Sequence, residues 1–166
     1  MENPLLLTPE DAPRLQRLLE RCENFALLSD GEPPAPDAAN KAFAEVPPGY
    51  LPETMRIWAV ADPDGRLDAV MHVLPGYPDD EAWWLGLLLI APERRGQGLG
   101  SAMLDWLCAS ACADGRSEIQ LGVLDANLAG RRFWEREGFE WLRSTEPRTF
   151  GRKQHVVHVL RKSLVA

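Results

Sequence analysis

Apolar and polar positions along this chain repeat with two different periods, and the places where the period changes mark its elements. PLLL (4–7) reads as a short strand. TPEDAPRLQRLLERCENFALL then sets Leu15, Leu18, Leu19 and Cys22 at helical spacing. Thr8, Pro9 and Asp11 resemble a helix start, although Pro13 leaves the first turn open. SDGEPPAPDAANKAFAEVPPGYLPE holds neither period and predicts a long connection with one short helix over 37–45. Such a segment either shapes a substrate mouth or runs over the surface with no special role.

From Met55 the period shortens to two. MRIWAVAD and RLDAVMHVL flank the turn signal Pro63-Asp64-Gly65 and read as an antiparallel hairpin. WWLGLLLIA (83–91) is apolar on both faces, the pattern of a central strand covered on each side, and Pro92 ends it. A glycine-rich loop follows. After it comes a helix with Leu99, Ala102, Met103, Trp106 and Leu107 on one face. SEIQLGVLD (117–125) is a strand, and NLAGRRFWERE a helix opened by Asn127 and stopped by Gly138. FEWL (139–142) and KQHVVHVLRKSL (153–164) read as closing strands. This order predicts a single α/β domain over residues 1–166. Its sheet is mixed but mostly antiparallel, with about seven strands flanked by helices and one parallel pair bridged by the helix after the glycine loop.

Composition narrows the function. The chain has 166 residues and a net charge of −7, so no nucleic-acid footprint is expected. No apolar run approaches the ~20 residues that span a bilayer, so no membrane partner is expected. MENPLLLTPED lacks the basic region and apolar core of a signal peptide, which points to the cytoplasm. Cys22, Cys108 and Cys112 form no CxxC pair and have no neighbouring histidine in sequence, so they read as reduced thiols and no metal site is expected.

RRGQGLGS (94–101) is the segment that carries chemistry. Gly96, Gly98 and Gly100 alternate with Gln97 and Leu99 ahead of a helix start. Free N–H groups and the positive helix end suit such a turn to an anion, a pyrophosphate included. A phosphate loop of the Gly-Lys-Ser/Thr type is excluded, because Gly100 is followed by Ser101-Ala102. A dinucleotide fingerprint would need its third glycine one place later, although Asp125 lies at a compatible distance.

Arg95-x-x-Gly98-x-Gly100, placed after an apolar strand, resembles the acetyl-CoA loop of the GNAT N-acetyltransferase superfamily. Further on, Asn127-LAGRRF-Trp134-EREGF resembles that family's N-x-x-A-x-x-x-Y-x-x-x-G-F segment. The order of elements agrees over residues 3–162, and the family's splayed central pair of parallel strands is implied with it. The resemblance implies an acetyl-CoA-dependent N-acetyltransferase acting on a primary amine, of a small molecule or a peptide, by direct attack. It assigns Leu88, Leu89 and Ile90 to the pantetheine arm, with the N–H of Ile90 or Leu89 as oxyanion donor. It assigns Gly96, Gln97, Gly98, Leu99, Gly100 and Ser101 to the pyrophosphate. Arg95 reads as support for that loop, and Asn127 as a contact to CoA that also caps its helix.

The family's catalytic residues do not carry over. The usual tyrosine is Trp134, which packs against the CoA arm or belongs to the core; an indole is no practical proton donor. The glutamate that some relatives carry on the strand before the asparagine is Gly122. Glu81, just before Trp83-Trp84, is then the first candidate base, acting directly or through water, against a role as a solvated acid in its turn. Asp125 comes second, with loop capping as its other reading. Tyr77 is a candidate for the leaving thiolate or a structural turn aromatic. His72 has the pKa for base work but also fits a satisfied sheet histidine, and His155 and His158 point to opposite faces of one strand. Trp83 and Trp84 must also face opposite ways, so one of them is free to line an acceptor pocket. A CoA-binding sensor with little turnover stands as the alternative function, and pairing of two chains through the last strands stays open.

Overall fold

The computed structural model describes residues 3–165; Met1, Glu2 and Ala166 of the expected domain lie outside the described residues. Among the described residues nine strands and five helices follow one another: β1 (Leu5–Leu6), α1 (Ala12–Arg21), α2 (Glu23–Asp30), α3 (Ala38–Ala44), β2 (Arg56–Ala61), β3 (Leu67–Pro75), β4 (Ala82–Ile90), α4 (Leu99–Ala113), β5 (Glu118–Leu124), α5 (Leu128–Arg136), β6 (Glu140–Ser144), β7 (Arg148–Phe150), β8 (Lys153–His155) and β9 (Val157–Ser163). Seven strands form one sheet in the order β1-β2-β3-β4-β5-β9-β6, and β7 and β8 form a separate hairpin. Of the strand pairs in that sheet, β4–β5 is parallel and the others are antiparallel. This is the mixed, mostly antiparallel sheet that the order of elements predicts.

Two apolar layers hold the sheet. On one face Met103, Leu104, Leu107 and Ala111 of α4 bury against Met71, Leu85, Ile119 and Leu121. Their spacing of one, three and four residues is that of one helix face. On the other face Leu15 and Leu18 of α1 bury against Ile57, Val70 and Leu89. Each such side chain, fully buried, contributes roughly 1.5–3 kcal/mol.

Three differences from the expected elements have local causes. The long first helix breaks at Cys22, whose backbone leaves helical angles (φ −98°, ψ 30°) while its N–H bonds both Leu18 O and Leu19 O. The last strand breaks at Val156: its first part pairs with β7 and the rest with β5 and β6. His155 and His158 therefore lie on different strands with different partners. His158 Nδ1 is 2.7 Å from Ser144 Oγ, whereas His155 Nε2 is 2.8 Å from Ser29 O and its Nδ1 3.3 Å from Asp125 Oδ1. The buried stripe of α4 includes Leu104 and Ala111, while Ala102 and Trp106 sit at its margin.

Candidate functional site

The parallel pair is short. β4 pairs with β5 only from Ala82 to Leu85. β5 continues to Leu124 against β9, and β4 continues to Ile90 with that edge open. The divergence begins at a bulge: His72 pairs with Leu87 and Val73 with Leu85, which leaves Gly86 unopposed. A glycine inside an apolar strand is a sequence signal for such a bulge.

Ladder parity shows what the open edge presents. The Ala91 N–H bonds Asp68 O, so Leu89 and Leu87 also turn their backbone groups toward β3. Leu88 and Ile90 turn theirs to the opening. The Ile90 carbonyl accepts from Arg95 Nε (3.0 Å) and Cys22 Sγ (3.5 Å) from that side. Of the two N–H groups assigned by resemblance, that of Ile90 faces the opening and that of Leu89 does not.

A groove of about 740 Å³ runs along this edge to the glycine loop. Leu88, Leu89, Ile90, Arg95, Gly96, Gly98, Leu99, Gly100, Ser101, Asn127 and Trp134 all line it. Gly96 and Gly98 have φ of +72° and +79°, a region that favours glycine, and added Cβ atoms there would meet nothing within 4 Å. The first bond into α4 runs from Ala102 N–H to Gly98 O, so the N–H groups of Leu99, Gly100 and Ser101 are free of the helix. Arg94, Arg95 and Arg136 line it in a chain whose net charge is −7, although Arg94 is ion-paired with the buried Asp68. Gln97 departs from its assignment: its side chain bonds Glu93 O and Arg94 Nε and does not line the groove. The Ser101 hydroxyl is engaged by Glu137, so only its backbone is open to an anion. Arg95 braces the strand end, as a loop support does.

Asn127 caps α5 by accepting the Gly130 N–H at 3.0 Å. A Cβ on Gly130 would lie 2.5 Å from Asn127 Nδ2, so the glycine makes room for the cap. Trp134 is buried edge-on between Phe133 and Phe139, and also lines the narrow gap where β4 and β5 part. At Gly122 a Cβ would lie 2.7 Å from Val157 Cγ1 and 3.6 Å from the Trp84 ring. The space that a side chain at 122 would need is filled by Val157 and Trp84.

The three expected catalytic residues are not brought to the groove. Glu81 precedes β4 and accepts from Ser117 Oγ at 2.9 Å, on the paired side of the divergence. Five residue steps along the strand, roughly 16 Å, take the chain from it to Gly86. Tyr77 stands edge-on to Tyr50 and Trp84, with centroids 5.3 and 5.4 Å away. Asp125 is exposed beside His155. None of the three lines the groove or the gap where β4 and β5 part.

A second cavity of about 700 Å³ lies between α2, the 31–38 connection, α3 and the β3–β4 face. It meets the groove at Phe25 and Leu89, which line both. A smaller cavity, about 240 Å³ with Trp84 on its wall, shares Ala42, Glu45 and His72 with the second. Of the adjacent tryptophans, Trp84 thus faces a cavity, while Trp83 stacks on Trp58 in the core.

His72 is opposite the bulge, and its Nε2 is enclosed without a hydrogen-bond partner among the described residues. It is not the satisfied sheet histidine. Burial pushes its pKa down to about 4, so the ring is neutral at neutral pH. Burial also pushes the Cys22 thiol up, against the pull of Arg95, so Cys22 is no thiolate nucleophile. Phe25, at the junction, comes from a segment whose sequence reads only as helix.

Comparison with known proteins agrees with this geometry. The model of the acetyltransferase (GNAT) family matches residues 14–139. An uncharacterized N-acetyltransferase of Mycobacterium tuberculosis is 31% identical over 98 residues. That match covers 59% of this chain and 59% of the relative, so less than two thirds of the curated protein is spanned. An acetyltransferase from Thermus thermophilus superposes with a TM-score of 0.77 at 24% identity, over 97% of this chain and 96% of its own. An aminoglycoside 6'-N-acetyltransferase in complex with coenzyme A gives 0.71 at 14% identity, over 99% and 98%. At these identities the two structures show the fold. With a family match across most of its length and the same fold throughout, the chain belongs to the acetyltransferase (GNAT) family, whose co-substrate is acetyl-CoA.

Proposed function

We propose that the protein transfers an acetyl group from acetyl-CoA to a primary amine by direct attack. The observation that carries this reading is the junction at Phe25 and Leu89. A groove rich in backbone donors there meets a second, separate cavity, beside the bulge and the open edge of β4. Bound acetyl-CoA supplies an acyl group activated as a thioester. The residues present fit it. The N–H groups of Leu99, Gly100 and Ser101, with Arg136, would hold its phosphates. The backbone groups of Leu88 and the N–H of Ile90, which face the opening, would pair with the pantetheine arm as an added strand does. The Ile90 N–H, on the open edge, is the donor available to an oxyanion. Asn127 and Trp134 wall the arm.

His72 is the proton acceptor. Its neutral ring stands across from Leu87 and lines both cavities on the acceptor side. Glu81, Asp125 and Tyr77 act at a distance, bracing the strand ends and Trp84. No thiolate is at hand for an acyl-enzyme, which favours one direct step with both substrates bound. Trp134 and Gly122, where relatives have a proton donor and an acid, favour the alternative of a CoA-binding sensor; the second cavity and His72 weigh against it.

Calorimetric titration with acetyl-CoA, CoA and NAD, followed by thiol release across an amine panel, tests the reading. Binding of both CoA species with release by some amine is the expected result. Binding without release across the panel would favour the sensor, and no binding of acetyl-CoA would overturn both.

A further inference from the structure

The chemistry of the second cavity says what kind of amine enters it. Three carboxylates line it: Asp30 and Glu32 at the end of α2, and Glu45 at the end of α3. Both helices bring their C-terminal, negative ends to the same space. Glu45 has no ion-pair or hydrogen-bond partner for its carboxylate among the described residues, and it stands where the cavity joins the smaller one beside His72. Two cations stand near these carboxylates, Lys41 in the lining and Arg152 on Glu32, which leaves Asp30 and Glu45 without a basic partner among the described residues. The Lys41 ammonium is 3.6 Å from Asp37, and the Arg152 guanidinium 3.4 Å from Glu32. Between the carboxylates the wall is apolar, with Phe25, Leu87 and Leu89. At its edge is His72, which also lines the smaller cavity.

Resting on the acyltransferase reading for which amine reacts, we infer that this cavity takes an acceptor with a second positive charge. A diamine, or a basic group carried a few methylenes from the reacting amine, fits it; an amine bearing a carboxylate does not. Opposite charges attract and like charges repel at such an opening, the more weakly as salt rises. The reacting amine lies toward His72 and Leu87, the methylenes cross the apolar wall, and the second cation reaches a carboxylate.

The test compares three five-carbon probes on the full chain saturated with CoA: cadaverine, n-pentylamine and 5-aminopentanoate, titrated calorimetrically. Cadaverine should bind at least tenfold more tightly than pentylamine, and 5-aminopentanoate most weakly. Raising salt from about 50 to 500 mM should compress that ratio, because screening shortens the reach of charge. Glu32→Gln and Glu45→Gln should each reduce the cadaverine-to-pentylamine ratio about threefold or more, with melting curves showing that the variants fold. The inference is overturned if cadaverine fails to bind, if 5-aminopentanoate binds as well, or if neither substitution moves the ratio. CoA binding is read in the same experiment. Its loss would sink the acyltransferase reading, whereas CoA bound with the wrong ranking of probes would sink only the cation preference.

Discussion

The groove and the second cavity are of nearly equal size and meet at two residues, yet they are made of different material. The groove offers backbone: free N–H groups at the start of α4, the open edge of β4, and glycines at φ values that other residues avoid. The cavity offers side chains: carboxylates, prolines, a phenyl ring and an imidazole, from α2, the connection to α3, the end of α3 and β3. Backbone donors recognise groups that never change, such as a diphosphate and two amides. Side chains can be exchanged one at a time without disturbing the sheet, so the acceptor half is free to differ between proteins that share the cofactor half.

If the division is real, substitutions on one side should leave the other half's ligand alone. His72→Gln gives the largest expected effect. Turnover should fall by roughly 10²–10³, within the usual range for a lost acid–base group, while the affinity for acetyl-CoA is kept. Steady-state kinetics beside calorimetry separates the two; an unchanged kcat would remove His72 from the mechanism. A second readout follows from linkage. The His72 pKa falls from 6.5 in the unfolded chain to about 4 in the fold. Between those values the unfolded chain binds the extra proton, so stability falls as pH drops from about 6.5 to 4, by at most about 3 kcal/mol. Melting temperatures over that window should fall less steeply in the variant.

Gly98→Val is the converse. A β-branched residue forced to φ +79° at the N-cap of α4 costs about 2 kcal/mol and disturbs the free N–H groups. Acetyl-CoA affinity should fall roughly 30-fold, with amine binding to the second cavity preserved. Equal losses of both ligands would show that the two halves are not separable.

The same division decides what was readable in the amino-acid order. The strand and helix periods, the glycine loop and the Asn127 segment are local patterns, and the residues they single out for the co-substrate line the groove, Gln97 apart. Gln97 departs because its amide turns outward to Glu93, and Leu89 turns its N–H to β3, a matter of ladder parity set by the bulge at Gly86. The catalytic residues were not legible. Glu81 is near Trp84 in sequence but lies before the paired segment, and the opening starts after it. His72 acquires its proposed role only through register, opposite a bulge that the β3 sequence does not reveal. The cavity joins segments some 40 residues apart, whose contact no local period records.

Gly122 sits on the boundary between the halves, and a smaller effect there sharpens the comparison. It is the position where some relatives carry an acid, and it lines the narrow gap where β4 and β5 part. A Cβ at this site would press on Val157 Cγ1 at 2.7 Å, and Val157 is stiff because it is β-branched. Gly122→Ala should therefore destabilise by about 1–2 kcal/mol, a fall of roughly 3–6 °C in Tm for a domain of this size. In a Val157→Ala background the same change should cost less, because the obstructing methyl is gone, and a double-mutant cycle would read that coupling directly. Coupling of about 1 kcal/mol would mean that the glycine is required by the packing of Val157 and Trp84, so the acceptor-side wall excludes an acid here. If Gly122→Ala proves neutral for stability but weakens acetyl-CoA binding, the glycine instead keeps the gap open for the co-substrate, and position 122 belongs to the backbone-built half.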